Sequence, residues 1–153
     1  ENLGILLQYN FTRHSNELQN VKIDFPQGSV IIDISEKTTI QYTGLGINYH
    51  YASFDMNHRF LIGFTLGYTN YKSVSNLING TLKGNSLGLE YRAGYDYMIS
   101  DNIGIGIELA FFRSTLTKFI LEENGAKSTL NLEEDNYEGL QRLDISIGAR
   151  YYF

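Results

Sequence analysis

The sequence predicts an all-β fold, an antiparallel up-and-down transmembrane β-barrel of eight strands, with residues 1–153 forming one domain. Three observations point there. Apolar and polar side chains alternate with a period of two along most of the chain, the pattern of strands with two unlike faces. The apolar faces continue for five or six alternate positions, about the 9 to 11 residues that a tilted strand needs to cross a bilayer. The composition, with 12 Tyr, 9 Phe and 15 Gly against a single Pro, supplies bulk for one face and room for close contacts on the other.

The segments follow in chain order. Leu3, Ile5, Leu7, Tyr9 and Phe11 oppose Gly4, Gln8 and Asn10. Leu45, Ile47, Tyr49 and Tyr51 oppose Gly44, Gly46, Asn48 and His50, and a short turn follows at Phe54-Asp55-Met56-Asn57. Phe60, Ile62, Phe64, Leu66 and Tyr68 then oppose Arg59, Gly63, Thr65 and Gly67. Leu87, Leu89, Tyr91, Ala93, Tyr95 and Tyr97 oppose Ser86, Gly88, Glu90, Arg92, Gly94 and Asp96, before a second short turn at Ser100-Asp101-Asn102. Ile103, Ile105, Ile107, Leu109 and Phe111 oppose Gly104, Gly106, Glu108 and Ala110. The last strand sets Leu143, Ile145, Ile147, Ala149, Tyr151 and Phe153 against Arg142, Asp144, Ser146, Gly148, Arg150 and Tyr152.

Connections at the other end are longer, and two contain Asn-Gly, a strong hairpin signal. A turn centred on Asn124-Gly125 places Glu122 opposite Lys127 and Phe119 opposite Leu130. One centred on Asn79-Gly80 places Leu77 opposite Leu82. In residues 12–40, Val21, Ile23, Phe25 and then Val30, Ile32, Ile34 alternate around Pro26-Gln27-Gly28. Read as a third periplasmic turn, this brings the count to eight, the smallest number in single-chain barrels of this kind. The alternative is that 13–37 form an extracellular excursion and six strands span.

Alternation also fits a soluble sandwich or a ligand-binding barrel with its apolar face inward. The long apolar faces, the tyrosines at strand ends and the mid-strand charges opposite favour a barrel whose apolar side meets lipid. No run of 18 apolar residues could form a membrane helix. The opening Glu1-Asn2-Leu3-Gly4 lacks the regions of a secretory signal, as expected of a mature chain whose signal has been removed. A net charge of −5, with 12 scattered Lys and Arg, leaves no basic stripe for nucleic acid. Without cysteine, neither a disulfide nor a thiolate metal site is available, and no cofactor is expected.

The final residues, Ser146-Ile147-Gly148-Ala149-Arg150-Tyr151-Tyr152-Phe153, resemble the C-terminal β-signal of outer-membrane proteins, with Ser146, Gly148, Tyr151 and Phe153 at its specified positions. Gly44 to Tyr51 fits the pattern too, so the pattern also reflects strands descending to the periplasm. Over its whole length the chain is similar to small bacterial outer-membrane barrels, the OmpX-like and OmpA-transmembrane-like eight-stranded families. The resemblance implies an outer-membrane location, recognition of the last strand by the assembly machinery, and contact with outer-membrane lipid and lipopolysaccharide.

Parity places Arg59, Arg92, Arg142 and Arg150 in the lumen with Glu90, Asp96, Glu108 and Asp144, four charges of each sign. An eight-stranded barrel is only wide enough to be filled by side chains, so a salt-bridged plug is expected, with Arg92 paired to Glu108. A gated pore is the alternative. A lipid-modifying enzyme needs a nucleophile and base within reach. His50 faces the lumen, His58 sits at a turn and His14 adjoins Ser15 in a connection, so no catalytic residue is assigned. Glu133, Glu134, Asp135 and Glu138 lack the spacing and Gly turn of a Ca²⁺ loop. Arg113 follows the lipid-facing register toward lipopolysaccharide phosphates. The expected working surface is the extracellular hairpin, where Phe119, Ile120, Leu121, Leu130 and Leu132 could meet a host or envelope protein by strand addition. Adhesion, surface protection and an accessory role in an envelope complex stay open. A narrow pore is the alternative function, a lipid A-modifying enzyme the third.

Overall fold

The computed structural model describes residues 2–26, 28–54, 57–77, 80–123 and 125–152. Its strands are β1 (Asn2–Phe25), β2 (Gly28–Ala52), β3 (His58–Ser75), β4 (Gly80–Met98), β5 (Ile103–Leu116), β6 (Lys118–Glu123), β7 (Ala126–Asn131) and β8 (Glu138–Tyr151). Every pairing is antiparallel, and the sheet runs β1-β2-β3-β4-β5-β8, with β6 on the upper part of β4 and β7 on β6. The sheet curls into a half-barrel, and the all-β class and the total of eight strands match the sequence expectation, but the eight are composed differently: six strands run the length of the sheet and β6 and β7 form a hairpin above it.

The Pro26 turn is a correction. It lies at the opposite end of the sheet from the Phe54–Asn57 connection, because Phe25 faces Gly28 while Asn2 faces His50. β1 and β2 are therefore 24 and 25 residues long, and residues 13–37 form an extension of their hairpin. The register set by Leu3 against Tyr49 and Phe11 against Gln41 continues without a break to Leu18 against Ile34. A bulge follows. Asn20 takes φ 57°, tolerable for Asn, and its amide donates to Asp33 Oδ1 at 2.8 Å.

A second correction concerns Asn79-Gly80. Gly80 faces Ser75, which puts Leu82 opposite Ser73 and not Leu77. Asn76 starts the connection early by binding the edge of β2: its side chain accepts from Ser35 N at 2.9 Å and donates to Asp33 O at 2.8 Å. The hairpin at Gly125 has the expected register, with Glu122 opposite Lys127 and Phe119 opposite Leu130. Asn79 and Asn124 lie outside the described residues.

The outer face is greasy in successive cross-strand rungs. From the short-turn end upward, Tyr51-Phe60-Tyr95, Tyr49-Ile62-Ala93, Ile47-Phe64-Tyr91, Leu45-Leu66-Leu89 and Thr43-Tyr68-Leu87 align across β2, β3 and β4. Apolar side chains this exposed are stable against lipid and aggregation-prone in water. No ladder joins β1 to β8 among the described residues. Their outward side chains are correspondingly bare: Ile5 is 86% exposed and Ile147 80%, against 44% for Ile107 inside the sheet.

Candidate functional site

Inward-facing side chains stack in three layers along the lumen. Nearest the short turns, Arg150 on β8 reaches Asp96 on β4 and Glu108 on β5, the latter at 2.5 Å. The Tyr152 hydroxyl donates to Asp96 as well. Arg59 lies 4.0 Å over the Tyr152 ring, and His50 meets the same ring edge-on at 5.9 Å. Gly106 faces Asp96 across the ladder. A Cβ there would collide with the Asp96 carboxylate and the Tyr95 carbonyl, so the missing side chain makes room for the ion pair.

In the middle layer the Glu90 side chain is fully buried, and it accepts from Arg92 at 2.8 Å and from Asn10 at 2.9 Å, with Gln8 also donating. Arg92 also lies 3.5 Å from Glu108, the pair that parity and turn distance predict. Arg142 meets Asp144 at 2.6 Å, sits 3.8 Å from Glu90, and donates to Thr12 Oγ1 at 2.8 Å across the gap between β8 and β1. Tyr42 donates to Thr65 at 3.2 Å, and Thr65 to Gln8 at 3.1 Å, which ties the layer to the wall. Of the eight predicted lumen charges, seven join ion pairs. Arg59 faces the Tyr152 ring, with no carboxylate in reach among the described residues, and its Nε is buried without a partner.

The third layer is apolar. Tyr42, Phe112, Leu116, Phe119 and Leu140 form a buried cluster at the hairpin end, flanked by Ile40, Tyr71, Leu82 and Leu132. Sequence parity reads the inner face as polar and misses this cap. It also misses the cross-lumen reach of Gln8 and Asn10, since parity identifies a face but not the partner opposite.

The cap corrects the hairpin surface. Phe119 is only 8% exposed, because it faces Gly84 and turns edge-on to Tyr71 at 5.7 Å. Leu132 packs against the same cluster. Ile120 and Leu121 are half-buried, and Leu130 stays exposed on β7. Arg113 is exposed on the outer face just above Phe111. Ser146 and Gly148 lie exposed on the β8 edge with Tyr151 facing outward, while Phe153 lies outside the described residues.

Between β1 and β8 lies a cavity of about 570 Å³, lined by Gln8, Asn10, Thr12, Glu90, Arg142 and Asp144 among others. His14 bonds Asn16 at 2.6 Å rather than Ser15, and His58 shares a 2.7 Å hydrogen bond with Tyr95. Glu133, Glu134, Asp135 and Glu138 surround an exposed 3-10 turn. Among the described residues no group of three metal-ligating side chains converges.

No curated protein and no solved structure matches the chain. A family model, the outer membrane protein beta-barrel domain, matches residues 1–153. With apolar rungs facing out and a charge-filled wall facing in, the chain belongs to this family of bacterial outer-membrane β-barrels.

Proposed function

We propose that this barrel is a non-enzymatic surface protein with a sealed lumen, and that its hairpin end, facing the cell exterior, takes a strand from a partner protein along β7. The carrying observation is the β7 edge. All six of its residues are exposed and among the described residues it pairs with β6 alone, so one side carries backbone donors and acceptors with no strand beside them there. Such an edge is a template for strand addition. The stacked ion network and apolar cap support a lumen without an axial path. Adhesion, surface protection or docking in an envelope complex would each use this edge.

Deleting the whole hairpin would also remove Phe119 from the cap, so the sharper test is Ser128→Lys with Leu130→Lys, which charges the edge and leaves Phe119 itself in place. Cells displaying this variant should lose attachment to host-cell or neighbouring-cell surfaces while the barrel still shows its heat-dependent gel mobility. Unchanged attachment would overturn the proposal.

The cavity at the β1–β8 gap favours one second reading, a narrow pore for small solutes. Planar-bilayer recording separates the two, since steady conductance above leak requires an open path.

A further inference from the structure

We propose that the outer wall carries a binding site for phosphorylated lipid headgroups, formed by Lys72, Lys83 and Lys118 at the upper border of the apolar belt. The argument begins with the rungs. The five rungs across β2, β3 and β4 span eight residue steps of about 3.3 Å, or about 26 Å of strand, which at a tilt of about 40° covers about 20 Å of the roughly 25 Å apolar band of such a barrel. The next rung is Gln41-Asn70-Asn85, all amides, and the one above it is Thr39-Lys72-Lys83. Extending the β4–β6 register by one residue places Lys118 beside Asn85. The wall thus passes from hydrocarbon-compatible to amide to cationic within four residues, the order of chemistry met on leaving the acyl chains for a headgroup layer.

These side chains line an open groove on the outer wall. It has a volume of about 480 Å³ and is lined by Lys72, Lys83 and Lys118 with Asn70, Asn85 and Gln41 among its other walls. Lys72 and Lys83 are direct cross-strand partners, a juxtaposition of like charge that is unfavourable unless an anion lies between. Lys83 has Glu122 as a counter-ion. For Lys72 and Lys118 no acidic partner is present among the described residues, and both are exposed.

The first charged positions beyond the apolar belt are basic, with Glu122 one rung higher as the counter-ion of Lys83, and they lie at one end. Arg13 on β1 and Arg113 on β5 stand at the first outward position beyond Phe11 and Phe111, where their own apolar faces end. At the short-turn end the outward positions are Tyr51, His58, Phe60, Tyr97 and Tyr151, without a Lys or Arg. A collar meant only for solubility would need neither the sign nor the asymmetry. Phosphates at one membrane surface call for both, and a headgroup has its acyl chains beside the Tyr68-Leu87 rung directly below.

The site follows from the barrel's membrane orientation and not from the β7 proposal, so either can fail alone. The test uses the full chain refolded in detergent and incubated with lipopolysaccharide, with the same glycolipid after enzymatic dephosphorylation, or with inorganic phosphate, read by native mass spectrometry. Wild type should retain the phosphorylated glycolipid, and Lys72→Ala/Lys118→Ala should weaken retention about thirtyfold, the combined effect of two basic side chains near an anionic surface. Lys22→Glu changes the net charge by the same two units at the tip of the β1–β2 hairpin and should leave retention unchanged, which excludes a net-charge effect. Equal loss in Lys22→Glu and Lys72→Ala/Lys118→Ala, equal retention of dephosphorylated glycolipid, or displacement by millimolar inorganic phosphate would each overturn the proposal.

Discussion

Arg150 holds two carboxylates from different strands, Asp96 on β4 and Glu108 on β5. The Asp96 side chain is 1% exposed. Removing a buried partner leaves charge without compensation, so Arg150→Ala should lower unfolding stability by about 3–5 kcal/mol, read as the urea midpoint in lipid vesicles. A shift under about 1 kcal/mol would show that water replaces the guanidinium freely. Gly106→Ala should act on the same contact from the wall, displacing Asp96 and destabilising by about 1–3 kcal/mol as overpacking does. Measured together with Arg150→Ala it should be less than additive, since both disrupt one contact. The Arg92–Glu108 pair was legible because adjacent strands share a turn, and counting from Ser100–Asn102 gives their heights. Asp96 with Arg150 was not, because β4 and β8 are not neighbours and only the curl of the sheet brings them together.

At the scale of elements, the β6–β7 hairpin depends on Glu122. It faces Lys127 across the pair and reaches Lys83 on β4. Hydrogen bonds from Lys127 and then Lys83 lower its carboxyl from 4.5 to about 2. A carboxyl depressed in the folded hairpin binds protons more readily once the hairpin opens. Its stabilising tie is therefore complete above pH 4.5 and is lost as pH falls through about 2. The carboxyl of Glu122, followed by NMR, should titrate near 2 in the wild type and closer to its ordinary value in Lys127→Ala. An ordinary midpoint in the wild type would remove the tie. Its exposure makes the effect sensitive to salt. This hairpin was readable because both partners lie within a few residues of one Asn-Gly turn. The connection after β3 was not, since Asn76 binds β2, an element more than 40 residues earlier, and no local turn signal registers that.

For the whole molecule the unresolved contact is the longest one, β1 with β8. Along the apolar belt the two faces of each strand follow from parity, but closure joins the two ends of the sheet and leaves no local pattern in either. β1 runs away from the short turns and β8 toward them, so the edges are antiparallel and suited to pair directly. At hydrocarbon depth each unpaired backbone group is expensive because no water replaces its partner. The gap also exposes charge to lipid, since Asp144 is 42% exposed beside it. Arg142 already bridges to Thr12, which holds the upper parts of the two edges within one side chain's reach. The lipid-embedded barrel is therefore expected to zip downward from that bridge and cover the cavity between β1 and β8. Hydrogen exchange in vesicles is the direct measure. Amides of Leu3–Phe11 and Leu143–Tyr151 should be protected as strongly as those of Ile103–Phe111 inside the sheet, and Thr12→Val with Arg142→Met should weaken protection at the seam first. Fast exchange confined to these two edges in the wild type would mean that the sheet does not close on itself, and would favour the pore reading over the sealed lumen.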